Sequence, residues 1–298
     1  MITSRRSVPT SRGCDRMRGS HTAQEKEQRA SREFIPPRWL VTIVWLIGFF
    51  AVWEIIAAAV QASGGSNTVF PHLYDMIYWC FSTDTVQTAT QSYSLCGATI
   101  WSYLWDTLSV AILGFLIGFA LGIVFALLMS LFLPVQKVGY PLLLVSQMIP
   151  MLGLAPIFLS IFPELFTSKM FMAAYMSFFP IAANTFAGFK AVDRERKELL
   201  KISAANTYQG YTKLMFPAAL PSMFVGLKLA APSAFCAVIF TELLRTQGGL
   251  GYGIFASQYA SRWDLCWGYI FMAILAGVLI FYLVELVRHF VIRWKSTD

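Results

Sequence analysis

Six apolar stretches of about 20 residues, roughly 39–61, 107–133, 140–162, 170–188, 222–243 and 267–290, constrain this chain more than any other feature. A helix needs about 20 residues to cross a hydrocarbon core roughly 30 Å thick. Inside lipid every backbone N–H and C=O must find its partner within the chain, so each stretch is read as a helix. The residue balance agrees, because only 13% of the chain is charged where soluble domains carry about a quarter. The expected fold is all-α, a polytopic membrane protein with six transmembrane helices across 39–298. A polar tail over 1–38, rich in Ser and Arg and ending at Pro36-Pro37, has nothing to bury and is read as mobile. No cleavable signal is expected, since the first apolar run is too long for a signal core.

A formal charge of +7 raises the question of nucleic acid, and its distribution answers it. Nine of the 23 Lys and Arg precede residue 39, six lie between Lys190 and Lys213, and Arg288, Arg293 and Lys295 are near the end. With a cytoplasmic N-terminus and six helices, Lys137 and Lys228 also fall inside, and only Lys169, Arg245 and Arg262 fall outside. The positive-inside rule therefore predicts cytoplasmic N- and C-termini in a cell membrane, with the lipid bilayer as partner and no nucleic acid. Trp39 and Trp294 fall at the inner border and Trp101, Trp105, Trp263 and Trp267 at the outer one, where such rings favour the interface.

Five cysteines and three scattered histidines (His21, His72, His289) contain no pair at zinc-site spacing, so no metal site is expected. Cys80 and Cys96 share an outer connection, where a disulfide is chemically allowed; two cysteines make a weak framework, and both states stay open. Gly114, Gly118 and Gly122 form a small-xxx-small ladder that serves packing within the bundle or a subunit interface, the former being the simpler reading. Pro150, Pro156 and Pro180 punctuate the third and fourth spans, and such breaks are tolerated where neighbours or a cavity satisfy the freed carbonyls. A short interfacial helix is expected around 72–81. The run Gly248-Gly249-Leu250-Gly251-Tyr252-Gly253 lacks the Lys-Ser/Thr of a phosphate-binding loop and follows no strand; it reads as a backbone bend at a helix end.

Between two apolar spans lies a polar, amphipathic run, about 190–221. Asp193 suits an N-cap, with Leu199, Leu200 and Ser203 expected on the inner faces of the helix it starts. Asn206 suits the following turn. A second short helix is expected to carry Tyr208, Tyr211 and Leu214 on one face and to stop at Pro217. Such a segment can simply rest on lipid headgroups, but its spacing says more. Glu198, Ala204, Leu214, Phe216 and Pro217 fit the pattern Glu-Ala-Ala, three residues, Gly, nine residues, Ile, one residue, Leu-Pro. That pattern resembles the cytoplasmic coupling loop of binding-protein-dependent ABC importer permeases. Leu199 and Leu200 stand in place of the alanines and Ala204 in place of the glycine. Asp106-Thr107-Leu108, Gln147-Met-Ile-Pro150, Phe178-Phe-Pro180, Thr241-Glu242 and Gly249-Leu-Gly251-Tyr252 are similar in order and spacing to the nitrate, sulfonate and taurine branch.

The resemblance implies a type I importer permease bundle. It implies a separate cytoplasmic ATPase that binds ATP, an extracytoplasmic solute-binding protein, and a second permease copy forming a homodimer. The chain itself would be no enzyme and would carry no cofactor. Glu198, Ala204, Tyr208, Tyr211, Leu214, Phe216 and Pro217 would form the ATPase-coupling loop.

Polar groups inside the spans each need an account, because an ionised group at a helix centre costs about 2.5–3.5 kcal/mol on insertion scales. Lys228 is close enough to the inner end to snorkel, and Glu285 has Arg288 one turn on. Glu242, with Arg245 at i+3, is a candidate for gate, interface or simple pairing, and Gln147 and Asn184 for the pathway or for helix–helix hydrogen bonds. An ion-coupled secondary transporter is the alternative. It predicts inverted repeats, of which none is clear, and midplane carboxylates, for which Glu54 is the only candidate.

Overall fold

The structure, a computed structural model, describes residues 38–63, 70–82, 86–88, 91–93, 96–244 and 248–292. Among these residues five helices are long and apolar enough to cross a membrane, over Ile43–Ala62, Thr99–Leu131, Leu165–Lys190, Thr207–Leu244 and Trp263–Val291. The first belongs to α1 (Arg38–Ala62), which divides from the rest of the chain at Ile56 and is apolar and exposed on nearly every side. A helix of that character is stable only where its surroundings are apolar.

The third expected span, 140–162, is two shorter helices, α4 (Leu133–Ser146) and α5 (Met151–Ile161). The first has 14 residues, about 21 Å of helix and too short to cross. The cause is Pro150, which has no N–H to give the Ser146 carbonyl and disfavours helical backbone at Ile149. Ser146 O instead accepts from Ile149 N–H at 3.3 Å and from the Tyr175 hydroxyl at 3.3 Å, so a neighbouring helix satisfies the carbonyl the proline frees.

The remaining elements are α2 (Leu73–Phe81), close to the interfacial helix expected, a two-stranded hairpin of β1 (Val86–Thr88) and β2 (Gln91–Tyr93), and α3 (Cys96–Leu131). After α5 come α6 (Leu165–Lys190), α7 (Arg194–Ile202) and α8 (Thr207–Gly210). A π-helical turn (Tyr211–Met215) then leads into α9 (Phe216–Leu244), α10 (Leu250–Tyr259) and α11 (Trp263–Val291). The hairpin was not anticipated; two three-residue strands, apolar only at the Val86–Tyr93 pair, are too short to show a strand-like alternation.

The centre of the bundle is α6, packed between α3 and α9. The glycine ladder of α3 faces it: a Cβ on Gly118 would stand 2.6 Å from Ala174 O, and one on Gly122 2.9 Å from Ile181. On the opposite side, a Cβ on Gly226 of α9 would stand 2.7 Å from Pro180 O of α6. The ladder therefore serves packing within the chain. Where lipid is as apolar as the side chains, such backbone approach is a main source of helix association. Pro180 lies within an unbroken α6, and Asn184 Nδ2 donates to its carbonyl at 2.8 Å.

At one end α2 docks on α11 and α3. Its Cys80 is a free thiol, buried, with Sγ 3.5 Å from Gly268 O. Burial pushes the Cys80 thiol up to about 11. In intact protein at pH 8, where that thiol stays neutral, alkylation of Cys80 by iodoacetamide should be at least about tenfold slower than in denaturant, as read by peptide mass spectrometry. Gly118→Leu should lower stability by about 2 kcal/mol or more in thermal unfolding in detergent. Gly277→Leu, at a position where a Cβ meets nothing within 4 Å, should change it little.

Candidate functional site: the two ends of the three-helix core

At the end of the core where α6 finishes, α7 begins after Asp193, whose carboxylate lies 3.3 Å from Arg196. Glu198 is half-exposed and accepts from Arg194 Nε at 2.8 Å. The helix ends with Ala205 N–H donating to Leu200 O at 3.1 Å and Ala204 at φ +53°, a left-handed closing residue. The family pattern places glycine there, and the backbone shows why. Ala204 adopts the glycine conformation despite its Cβ. Asn206 then caps α8: its Oδ1 accepts from Gln209 N–H at 2.9 Å, and its own N–H donates to Gln209 Oε1 at 3.2 Å.

The expected faces differ from those observed. Leu199 is 63% exposed and Ser203 is exposed, whereas Leu200 is half-buried. Tyr208 is 76% exposed, but Tyr211 turns inward, its hydroxyl 2.8 Å from Ser130 Oγ of α3 and its ring edge-on to Phe189 of α6. At about 100° per residue Tyr208 and Leu214 stand about 120° apart around the axis, so three residues spaced by three do not share a face. Pro217 does not stop the helix either. The π turn ahead of it, with Phe216 N–H donating to Tyr211 O, opens the backbone where the proline ring would crowd a carbonyl. The helix thus continues from Thr207 to Leu244. Phe216 packs edge-on against Phe189, and Leu214 and Pro217 are half-buried beside it in sequence.

The opposite end is closed by a buried polar knot. Glu242 of α9 is 1% exposed and Lys169 of α6 is 6% exposed, with Nζ 2.9 Å from Oε1. Thr107 of α3 lies 2.9 Å from Oε2 and accepts from Leu250 N–H at 2.9 Å, and Gly251 N–H donates to Oε2 at 3.0 Å. Glu242, Thr107 and the Gly249-Leu-Gly251 run stand out separately in the sequence, and the partner it offers Glu242, beside gate or interface roles, is Arg245, which lies outside the described residues. The usable signal was Lys169, a cation inside a 26-residue apolar helix that requires a partner.

Gln147 is exposed at the end of α4, and Asn184 is half-buried with its amide on Pro180 O, so neither is brought into the knot. Lys228 pairs with Glu285 across α9 and α11, and Arg288 reaches the same carboxylate at 2.6 Å. What was read as a snorkelling lysine and a local pair is one cluster of three charges. Among the described residues no group of His, Cys, Asp and Glu is arranged to hold a metal ion.

Residues 118–296, spanning α6, the loop and all of the knot except Thr107, match the family described as the binding-protein-dependent transport system inner membrane component. The chain belongs to this family. It is 32% identical to the formylaminopyrimidine transport permease ThiX of Halalkalibacterium halodurans over 71% of this chain and 84% of that protein. It is 27% identical to the putative aliphatic sulfonates permease SsuC of Bacillus subtilis over 53% of this chain and 57% of that one. A crystal structure of an amino acid ABC transporter shares the fold, with a TM-score of 0.54 at 19% identity over 64% of this chain and 94% of its own. The chain is thus an inner-membrane permease of an ABC importer, in the nitrate, sulfonate and taurine branch. It is not itself an enzyme, and it works with an ATPase and a binding protein. The ion-coupled alternative is set aside.

Replacing Ala204 by Gly removes the strain of a left-handed alanine and should raise stability by up to about 1 kcal/mol in the same thermal measurement.

Proposed function

We propose that this permease works as a homodimer and is driven through the 190–221 segment, which lies on the cytoplasmic side together with both chain ends. ATP is bound by the partner ATPase alone. The observation that carries the proposal is the two-sidedness of the segment. Tyr211 and Phe216 fasten one side to the ends of α3 and α6, while Leu199, Ile202 at 82% exposure, and Tyr208 leave large apolar surface uncovered on the other. A lever requires one side fixed and the other free to be gripped. Glu198 stands beside Leu199 in sequence and offers a carboxylate to a basic groove. The solute is a small molecule handed over by the binding protein, of the kind that the related permeases' names describe, a sulfonate, nitrate or pyrimidine precursor.

Glu198→Lys should lower co-purification of the ATPase with the permease about tenfold or more, equivalent to about 1.4 kcal/mol. ATP hydrolysis stimulated by the binding protein should fall with it. Loss of the exposed Arg194–Glu198 pair, worth about 0.3–0.5 kcal/mol, does not account for such a change. Unchanged co-purification would remove Glu198 from the contact.

A further inference from the structure

The two fastened ends of the core are far apart. From Thr107 to Ser130, α3 rises about 35 Å, and α6 and α9 run the same course, so the knot and the loop terminate one three-helix block. At the loop end the fastening is aromatic. At the knot end it is ionic, and it also takes in a fourth element, α10, which is held by its backbone.

The first turn of a helix has N–H groups without partners in the helix. In α10 two of these, Leu250 and Gly251, are met by Thr107 Oγ1 and Glu242 Oε2, neither of which belongs to α10. The capping residue Gly249 has no side chain to contribute and sits at φ +95°. A Cβ there would clash with the Glu242 carboxylate, so the glycine is what allows the carboxylate to approach. Lys169 balances the charge, and every member of the knot is buried or nearly so, which excludes solute from Glu242. The far side of α10 presents Phe255, Gln258 and Tyr259 outward, Phe255 and Tyr259 stacked at 6.4 Å.

We propose that Glu242 is a positioning residue: with Lys169 and Thr107 it fixes the start of α10 to the ends of α3, α6 and α9, and this anchorage, not contact with the solute, is its contribution to transport. The effect on transport rests on the importer reading; the anchorage does not.

Two variants of the full-length permease test it. Lys169→Met with Glu242→Leu replaces the pair by apolar side chains, leaves no unpaired buried charge and removes the acceptor for Gly251 N–H. Gly249→Ala keeps the pair but places a methyl group where the carboxylate lies. Amide hydrogen exchange at residues 249–253 should rise about tenfold or more in both, because the first turn of α10 loses its anchor. ATP hydrolysis stimulated by the binding protein, per assembled complex, should fall about tenfold or more. A knot that serves only to fill the interior predicts that the double variant behaves like the wild type, and that result overturns the proposal. So does raised exchange with undiminished stimulation. If the double variant is not recovered, Gly249→Ala decides by the same two readings; if neither is recovered, the knot is a folding element and the proposal falls. A wild-type chain that binds no ATPase would remove the importer reading instead, while exchange would still decide the anchorage.

Discussion

The backbone-close packing of α6 against α3 and α9 is the constraint on which the rest of the structure depends. In lipid the hydrophobic effect gives helices little reason to associate, so small residues at the contacts do so through dispersion and backbone approach. Gly118 and Gly226 remove the side chains that would hold the three backbones apart. Once α6 is set, Lys169 comes to one end of the block and Phe189 to the other. The ion pair and the aromatic cluster then each have a partner within reach.

Much of the fold was legible because membrane helices leave a simple trace. Apolar length located the five helices long enough to cross, and the short helix near 72–81 showed in its short mixed run. The break at Pro150 was also visible as a break, but not its extent: the hydropathy of α4 and α5 is continuous across it, while the hydrogen bonding is not. Long-range charge pairing was the least legible part. Lys169 and Glu242 are 73 residues apart, and Lys228 and Glu285 are 57 apart, so neither pair leaves a local spacing signal.

The loop illustrates a different limit. Its spacing matched a family pattern, and that match led to the correct family, yet the orientation of its side chains followed from details the pattern does not encode. A left-handed Ala204 and a widened turn before Pro217 decide which residues face the core. Tyr208 and Tyr211, alike in type and three residues apart, end with opposite surroundings, the first exposed and the second bonded to Ser130.

The π turn over Tyr211–Met215 has a consequence for the whole of α9. A widened turn accommodates one residue more than a regular helix would over the same rise. Every side chain from Phe216 to Leu244 is therefore rotated by about 100° relative to an uninterrupted continuation of α8. The azimuth that points Gly226 at α6, about 15 Å along, and Glu242 at Lys169, about 40 Å along, is thus set by a single surplus residue beside the loop.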